Sequence, residues 1–341
     1  MPVWARSSVC DGRYMKRTQG STYKNLGYLG RCIISSYHPL PTMSQASHSR
    51  LTTTIDPTHK NSLRRIRDML REPVAEFLGV AILVIFGAGV NCSILLSTVP
   101  GVSSSPKGDY LAGSFGWAVG LCLGVWVASG ISPAHINPAV TLAMATWRGF
   151  PWRKVPGFIF AQTLGGFVGA ALVYATYFHA IDIFEGGAGI RTMKTAGIFG
   201  AFSIDYLTNV SAFFAELLAT AMLVLIIVAL TDKKSTAPPP ALFPLAIFIV
   251  MLGISSSLGM QTGFAMNPAR DFGPRLLSAA VGYPGIVFSF RHQYWLWTGI
   301  LAPIIGAQLA VALYDIFLYQ EDDSIVSKLS PSSSTTNSPV V

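Results

Sequence analysis

Six stretches of nearly unbroken apolar residues, at about 73–96, 111–130, 155–178, 209–231, 242–260 and 294–319, dominate the pattern of this chain. Each is close to the ~20 residues that a helix needs to cross the hydrocarbon core of a bilayer. Two shorter apolar pieces, 135–147 and 265–280, fall between the second and third stretches and between the fifth and sixth. They are too short to cross, which predicts segments that enter the membrane and turn back. Irregular backbone at that depth is tolerated only where it is buried in protein or lines a wet cavity. The pattern also repeats. One half opens Ala75-Glu76-Phe77-Leu78-Gly79 and the other Ala215-Glu216-Leu217-Leu218-Ala219, and the third span of each half carries small residues, Gly165-Gly166 and Gly306-Ala307. Three crossings per half is an odd number, so the second half runs inverted and the two short pieces enter from opposite faces. The prediction is an all-α membrane protein: six transmembrane helices plus two re-entrant half-helices over 72–320, with inverted repeats at 72–178 and 209–320.

Composition agrees with a membrane protein. Of 341 residues, 51% are hydrophobic and 12% charged, with a mean hydropathy of +0.48, whereas about a quarter of an average soluble protein is charged. The net charge of +8 would suit a nucleic-acid partner, but residues 1–71 hold 12 Lys/Arg against 3 Asp/Glu, and the remainder holds 12 against 13. The basic excess belongs to a Ser- and Thr-rich tail, predicted to be disordered, solvated or touching anionic lipid, with no nucleic-acid groove. Within it Arg64 to Arg71 could form a short amphipathic helix on the headgroups or a charged linker. Met43 is a second candidate start, and 321–341 reads as another disordered tail. Arg148, Arg153 and Lys154, then Lys233 and Lys234, fall in loops on the tail's side of the membrane, which places both termini in the cytoplasm. Cys10 and Cys32 lie in the tail and Cys92 and Cys122 in apolar spans, without metal-ligand spacing. No metal, cofactor or cleavable signal peptide is expected.

The short pieces share a phrase, His135-Ile136-Asn137-Pro138-Ala139 and Ala265-Met266-Asn267-Pro268-Ala269. Asn followed by Pro suits a helix start: the Asn oxygen accepts from an early N–H, and Pro occupies a position whose donor is not needed. Asn137 lies 61 residues after Glu76, and Asn267 lies 51 after Glu216. Two half-helix starts facing each other would bring unpaired N–H groups and positive dipole ends together, hostile to cations and to hydronium. Each Asn would still have an amide N–H for a passing water or hydroxyl.

With six spans, paired glutamates and twin Asn-Pro-Ala phrases, residues 72–320 resemble the major intrinsic protein family, the aquaporins. The resemblance implies a right-handed bundle with one pore per monomer, commonly in a homotetramer. Asn137, Pro138, Ala139, Asn267, Pro268 and Ala269 would lie at the pore midplane. Carbonyls of Pro133, Ala134 and His135 and of Gly263, Phe264 and Ala265 would form an acceptor ladder. Pro133 stands where the family usually has Gly, which would either reshape the vestibule or be absorbed locally. Trp117, Ser255, Phe264 and Arg270 match the constriction. There the aromatic rings would wall the carbon face of a polyol while Arg270 repels cations and donates to hydroxyls. Glu76 and Glu216 would accept loop N–H groups; a proton relay is the other use for a buried carboxylate. Asp271, four residues before Arg275, could pair with it on one helix face and is similar to the glycerol-conducting branch. Ser255 replaces the usual Gly, and Gly299-Ile300 replaces Pro-Leu.

The expected permeants are water, glycerol and other small uncharged solutes, passing without protons or ions through a multi-pass protein surrounded by lipid, in the plasma membrane. A channel preferring water, ammonia or urea is the alternative. A secondary transporter also uses inverted repeats but needs a coupling-ion site, and no carboxylate cluster beyond Glu76 and Glu216 is present in the spans. An enzyme would need converging groups, whereas His179 and His292 are isolated. A non-conducting scaffold is separated only by a flux measurement. Asn91-Cys92-Ser93 and Asn209-Val210-Ser211 match a glycosylation pattern but lie at span ends.

Overall fold

The computed structural model of the chain describes residues 57–235 and 237–319. Residues 1–56 and 320–341, which hold most of the expected 1–71 tail and all of the expected 321–341 tail, with Cys10, Cys32 and Met43, lie outside the described residues. The main elements are α1 Pro57–Leu96, α2 Tyr110–Ala128, α3 Pro138–Trp147, α4 Val155–Glu185, α5 Asn209–Thr231, α6 Phe243–Leu258, α7 Pro268–Ala280 and α8 Tyr294–Phe317. Among the described residues six helices, all but α3 and α7, are long and apolar enough to cross a membrane, and there is no strand. Large apolar side chains such as Phe86, Trp126, Phe160, Ile249, Leu313 and Phe317 are exposed on these helices, which suits lipid rather than water around the bundle.

Local chemistry sets the helix ends. Asp109 Oδ1 accepts the Ala112 N–H at 3.0 Å at the start of α2, and Thr208 Oγ1 accepts the Ser211 N–H at 3.1 Å at the start of α5. Gly186, at φ +93°, ends α4 in a left-handed conformation open to glycine at little cost. Two boundaries differ from the sequence expectation. Residues 57–71 are expected as part of the tail, with a short helix over 64–71 as one of two readings; all of them are helical and continue into the first span through Pro73. Once the apolar part is helical, adding a residue costs only propagation, and Leu, Arg and Met propagate well. The second difference is that α4 runs seven residues past 178. Its last residue, Glu185, accepts the hydroxyls of Thr192 at 2.7 Å and Thr195 at 2.5 Å, which fastens the following loop.

The two halves pack alike. In the first, α1 lies against α2 and α4; in the second, α5 lies against α6 and α8. Each half-helix docks on the other half's third spanning helix, α7 on α4 and α3 on α8, while α2 against α6 also joins the halves. The small residues seen in the sequence make the close crossings. A Cβ on Gly165 would overlap the Phe77 carbonyl of α1, and one on Gly306 would overlap the Leu217 carbonyl of α5, the residues directly after the paired glutamates. Near its start α8 widens into a π turn over Trp297–Leu301. Gly299 lies within it, where a Cβ would come within 2.7 Å of Asp271 Oδ2.

Gly165→Ala and Gly306→Ala should each destabilise the fold by about 1–3 kcal/mol, because the atom in the way is backbone. Gly157→Ala, where a Cβ meets nothing, should be neutral or stabilising by up to about 1 kcal/mol through helix propensity. Thermal unfolding of the detergent-solubilised variants checks both, and equal behaviour of the three would contradict the assigned crossings.

Candidate functional site

Each half-helix is preceded by a loop that a buried carboxylate holds open. Glu76 is fully buried: Oε1 accepts Ser132 Oγ at 2.7 Å and the His135 N–H at 3.0 Å, while Oε2 accepts the Ile136 N–H at 2.6 Å and Gln162 Nε2 at 2.8 Å. Glu216, equally buried, accepts the Ala265 and Met266 N–H groups, both at 2.8 Å. These bonds hold backbone that would not persist alone. Ala134, Ile136, Phe264 and Met266 have φ of 53°, 38°, 42° and 44°, a region that costs L-residues free energy, most of all β-branched Ile136. Gly263, at φ 77°, adopts it without that cost.

The Asn side chains cap their helices as the sequence predicts, with Asn137 Oδ1 2.8 Å from the Ala139 N and Asn267 Oδ1 3.0 Å from the Ala269 N. They also do something the sequence did not reveal. Asn137 Nδ2 donates to the Met266 carbonyl at 3.0 Å, and Asn267 Nδ2 donates to the Ile136 carbonyl at 2.8 Å, so each half braces the other. One N–H of each amide is spent on that brace, which leaves one for a solute.

Around this junction lie two cavities. The first, about 500 Å³, is lined by Arg148, Asp232, Lys233 and Tyr319 at one end and by Pro133, Ala134, His135, Asn137, Ala265 and Asn267 further in. The second, about 430 Å³, is bordered by Asp109, Tyr110, Ile198, Ala201, Phe202 and Gly263. Both are lined by Trp117, Phe264 and Arg270. The Arg270 guanidinium lies 4.1 Å from the Trp117 ring centroid and 5.7 Å from that of Phe264, and the two rings meet edge to face at 6.2 Å. Arg270 Nη2 also donates to the Gly263 carbonyl at 3.1 Å.

Ser255, expected at the same ring, lines neither cavity. It is fully buried, and its hydroxyl turns back onto the Met251 and Leu252 carbonyls at 2.8 and 3.2 Å, a bond that a serine inside a helix readily makes. The hydroxyl expected at the opening is thus engaged by α6 itself. The Ser255 carbonyl in turn accepts Tyr110 Oη at 2.5 Å.

Asp271 and Arg275 pair as expected, at 2.7 Å between Oδ2 and Nε, both buried. The pair reaches further than the helix. Asp271 Oδ1 accepts the Ala201 N–H at 2.7 Å, while Arg275 donates to the Ala201 and Val287 carbonyls and lies over the Phe202 ring at 4.3 Å. It thereby fixes the segment that borders the second cavity. Outside the spans, Arg191 is held charged: burial opposes its charge, but bonds to Asp182 and Tyr174 outweigh that and raise its pKa.

At the far end of the first cavity, Arg148 pairs with Asp315 at 2.5 Å and lies under the Tyr319 ring at 4.3 Å. The glycosylation-like Asn91 lies in α1, half-buried, with its side chain bonded inside the bundle. Among the described residues no group of three His, Cys, Asp or Glu could hold a metal.

Comparison with known proteins agrees with this geometry. The family described as Major intrinsic protein matches residues 63–314. Aquaporin-6 of Laccaria bicolor is 57% identical over 272 residues, covering 80% of this chain and 87% of that protein. Aquaglyceroporin-9 of Botryotinia fuckeliana is 43% identical over 265 residues, covering 76% and 56%. The X-ray structure of the aquaglyceroporin from Plasmodium falciparum superposes with a TM-score of 0.65 at 27% identity, covering 76% of this chain and 98% of that one. Paired inverted halves, opposed Asn-Pro-Ala starts and these matches lead to one conclusion: the chain belongs to the major intrinsic protein family, the aquaporins, multi-pass membrane channels for water and small solutes rather than enzymes.

Proposed function

We propose that the chain conducts glycerol, with water alongside, passively and in both directions, while excluding protons and ions. The observation that carries this reading is the ring of Trp117, Phe264 and Arg270 shared by the two cavities. Two aromatic walls can take the carbon side of a polyol in place of water. The Arg270 guanidinium and loop carbonyls can take its hydroxyls, so that desolvation at the narrow point is compensated on both sides. With the Ser255 hydroxyl turned away, the polar side rests on Arg270 and the backbone. Charge selection comes from two sources at two depths. Arg270 repels cations at the ring, and the positive starts of α3 and α7 repel them at the junction, where Asn137 and Asn267 would also orient a passing water and interrupt a proton relay.

Arg148, Arg153, Lys154, Lys233 and Lys234 support placing that side, and both termini, in the cytoplasm. The apolar outer faces suit plasma-membrane lipid and assembly with copies of the same chain into a homotetramer. An epitope tag inserted after Lys234 should be stained only after cells are permeabilised; staining of intact cells would overturn this orientation.

Stopped-flow light scattering of proteoliposomes tests the conduction reading. Against a glycerol gradient, shrinkage should be followed by re-swelling at least about tenfold faster than in empty liposomes, and fast shrinkage without faster re-swelling would reject glycerol. In the same vesicles Arg270→Val should raise proton and cation leak about tenfold or more while solute flux persists, since a fixed charge in a low-dielectric site contributes more than about 1.4 kcal/mol to the barrier. An unchanged leak would remove Arg270 from charge selection.

A further inference from the structure

Trp117 does not hold its orientation alone. Its ring crosses α1 above Gly87, where any Cβ would overlap the six-membered ring of the indole. Its Nε1–H donates to Asn91 Oδ1 at 3.3 Å. Gly87 and Asn91 are four residues apart on α1 and therefore share a face. The same Asn91 amide donates from Nδ2 to the Ile198 carbonyl at 3.4 Å, and Ile198 borders the second cavity. On its other contacts the indole meets the Arg270 guanidinium and, edge to face, the Phe264 ring.

We propose that Gly87 and Asn91 form a seat that sets the plane of Trp117, and that they act as positioning residues for solute selection. The proposal rests on reading Trp117 as a wall of the constriction. Asn91 itself borders the second cavity, and by taking the indole N–H it leaves the passing solute an apolar ring face with its one donor already engaged. Beside that face, Arg270 and the loop carbonyls take the hydroxyls, which separates the apolar and polar sides of the opening. Without Asn91 the indole N–H would be a buried donor lacking its acceptor, and it would turn toward the water-filled side to find one. With a Cβ at residue 87 the ring would be pushed off α1 toward the lumen. The bond to Ile198 carries the seat into the 197–202 segment, so the outer rim and the ring are fixed by a single amide.

The test is the ratio of glycerol to water permeability in proteoliposomes, taken within each preparation so that differences in insertion cancel. Asn91→Leu should lower the ratio about fivefold, the factor corresponding to one hydrogen bond, and Asn91→Ala should do the same without added bulk. Gly87→Ala should lower it about tenfold through overpacking. Trp117→Phe should itself change the selection of glycerol against the larger polyol erythritol. Asn91→Leu in the Trp117→Phe background should then lower the glycerol-to-water ratio by clearly less than fivefold, because the indole N–H is gone and only the share carried by the bond to Ile198 is left to lose. Wild-type ratios in both Asn91 variants and in Gly87→Ala, or the same fivefold loss in the Trp117→Phe background, would overturn the seat and leave the constriction reading intact. An unchanged selection in Trp117→Phe would overturn the constriction reading beneath it.

Discussion

Two carboxylates without solvent exposure, Glu76 and Glu216, hold the backbone N–H groups of the loops that lead into α3 and α7. The passage depends on this grip. Loops in the middle of a bilayer cannot turn to water for hydrogen bonds unless they line a cavity, and an orphaned N–H there costs about 1–3 kcal/mol. The carboxylates satisfy the N–H groups from within the protein. That choice also fixes residues such as Ile136 and Met266 at positive φ, a conformation the chain would leave without these partners. The symmetry of the two halves makes the arrangement self-consistent, because each Asn amide then finds the carbonyl of the opposite loop.

The rest of the site is asymmetric on this symmetric frame. Only the second half-helix carries Arg directly after its phrase, so the charged ring with Trp117 and Phe264 forms on one side of the junction. The other side ends at Arg148, Lys233 and Tyr319. Asp271 and Arg275 fasten the 197–202 segment to α7 and thereby define the rim beyond the ring. The π turn at Gly299 makes room for the Asp271 carboxylate. With Gly at residue 299 and no Cβ to intrude, the turn can lie against this acidic neighbour.

Much of this could be read along the chain because it is carried by short-range chemistry. Asn137-Pro138 and Asn267-Pro268 declare helix starts, and the spacing of Glu76 and Glu216 marks equivalent spans. Gly165 and Gly306 mark matching positions of the two third spans, and the structure places them as close crossings against Phe77 and Leu217. What escaped depends on where side chains turn after packing. The Ser255 hydroxyl could face the lumen or its own helix, and sequence does not distinguish the two. Asn91 matched a glycosylation pattern that its place at a span end discounted, and nothing along the chain pointed to its partners on α2 and at Ile198, 107 residues away. A helix over 64–71 was one of two readings, but its extension back to Pro57 and its continuity with the first span were hidden, because a basic, polar run reads as tail until a rigid helix follows it.

The carboxylate grip is tested most directly by the water permeability per inserted molecule of Glu216→Leu, compared with Glu216→Gln and the unmodified protein. Leu cannot accept the Ala265 and Met266 N–H groups, and two such groups together cost about 2–6 kcal/mol, so the loop should collapse and permeability fall at least about tenfold. Gln keeps one acceptor oxygen and should retain a larger share. Unmodified permeability in a fully inserted Glu216→Leu protein would contradict the account.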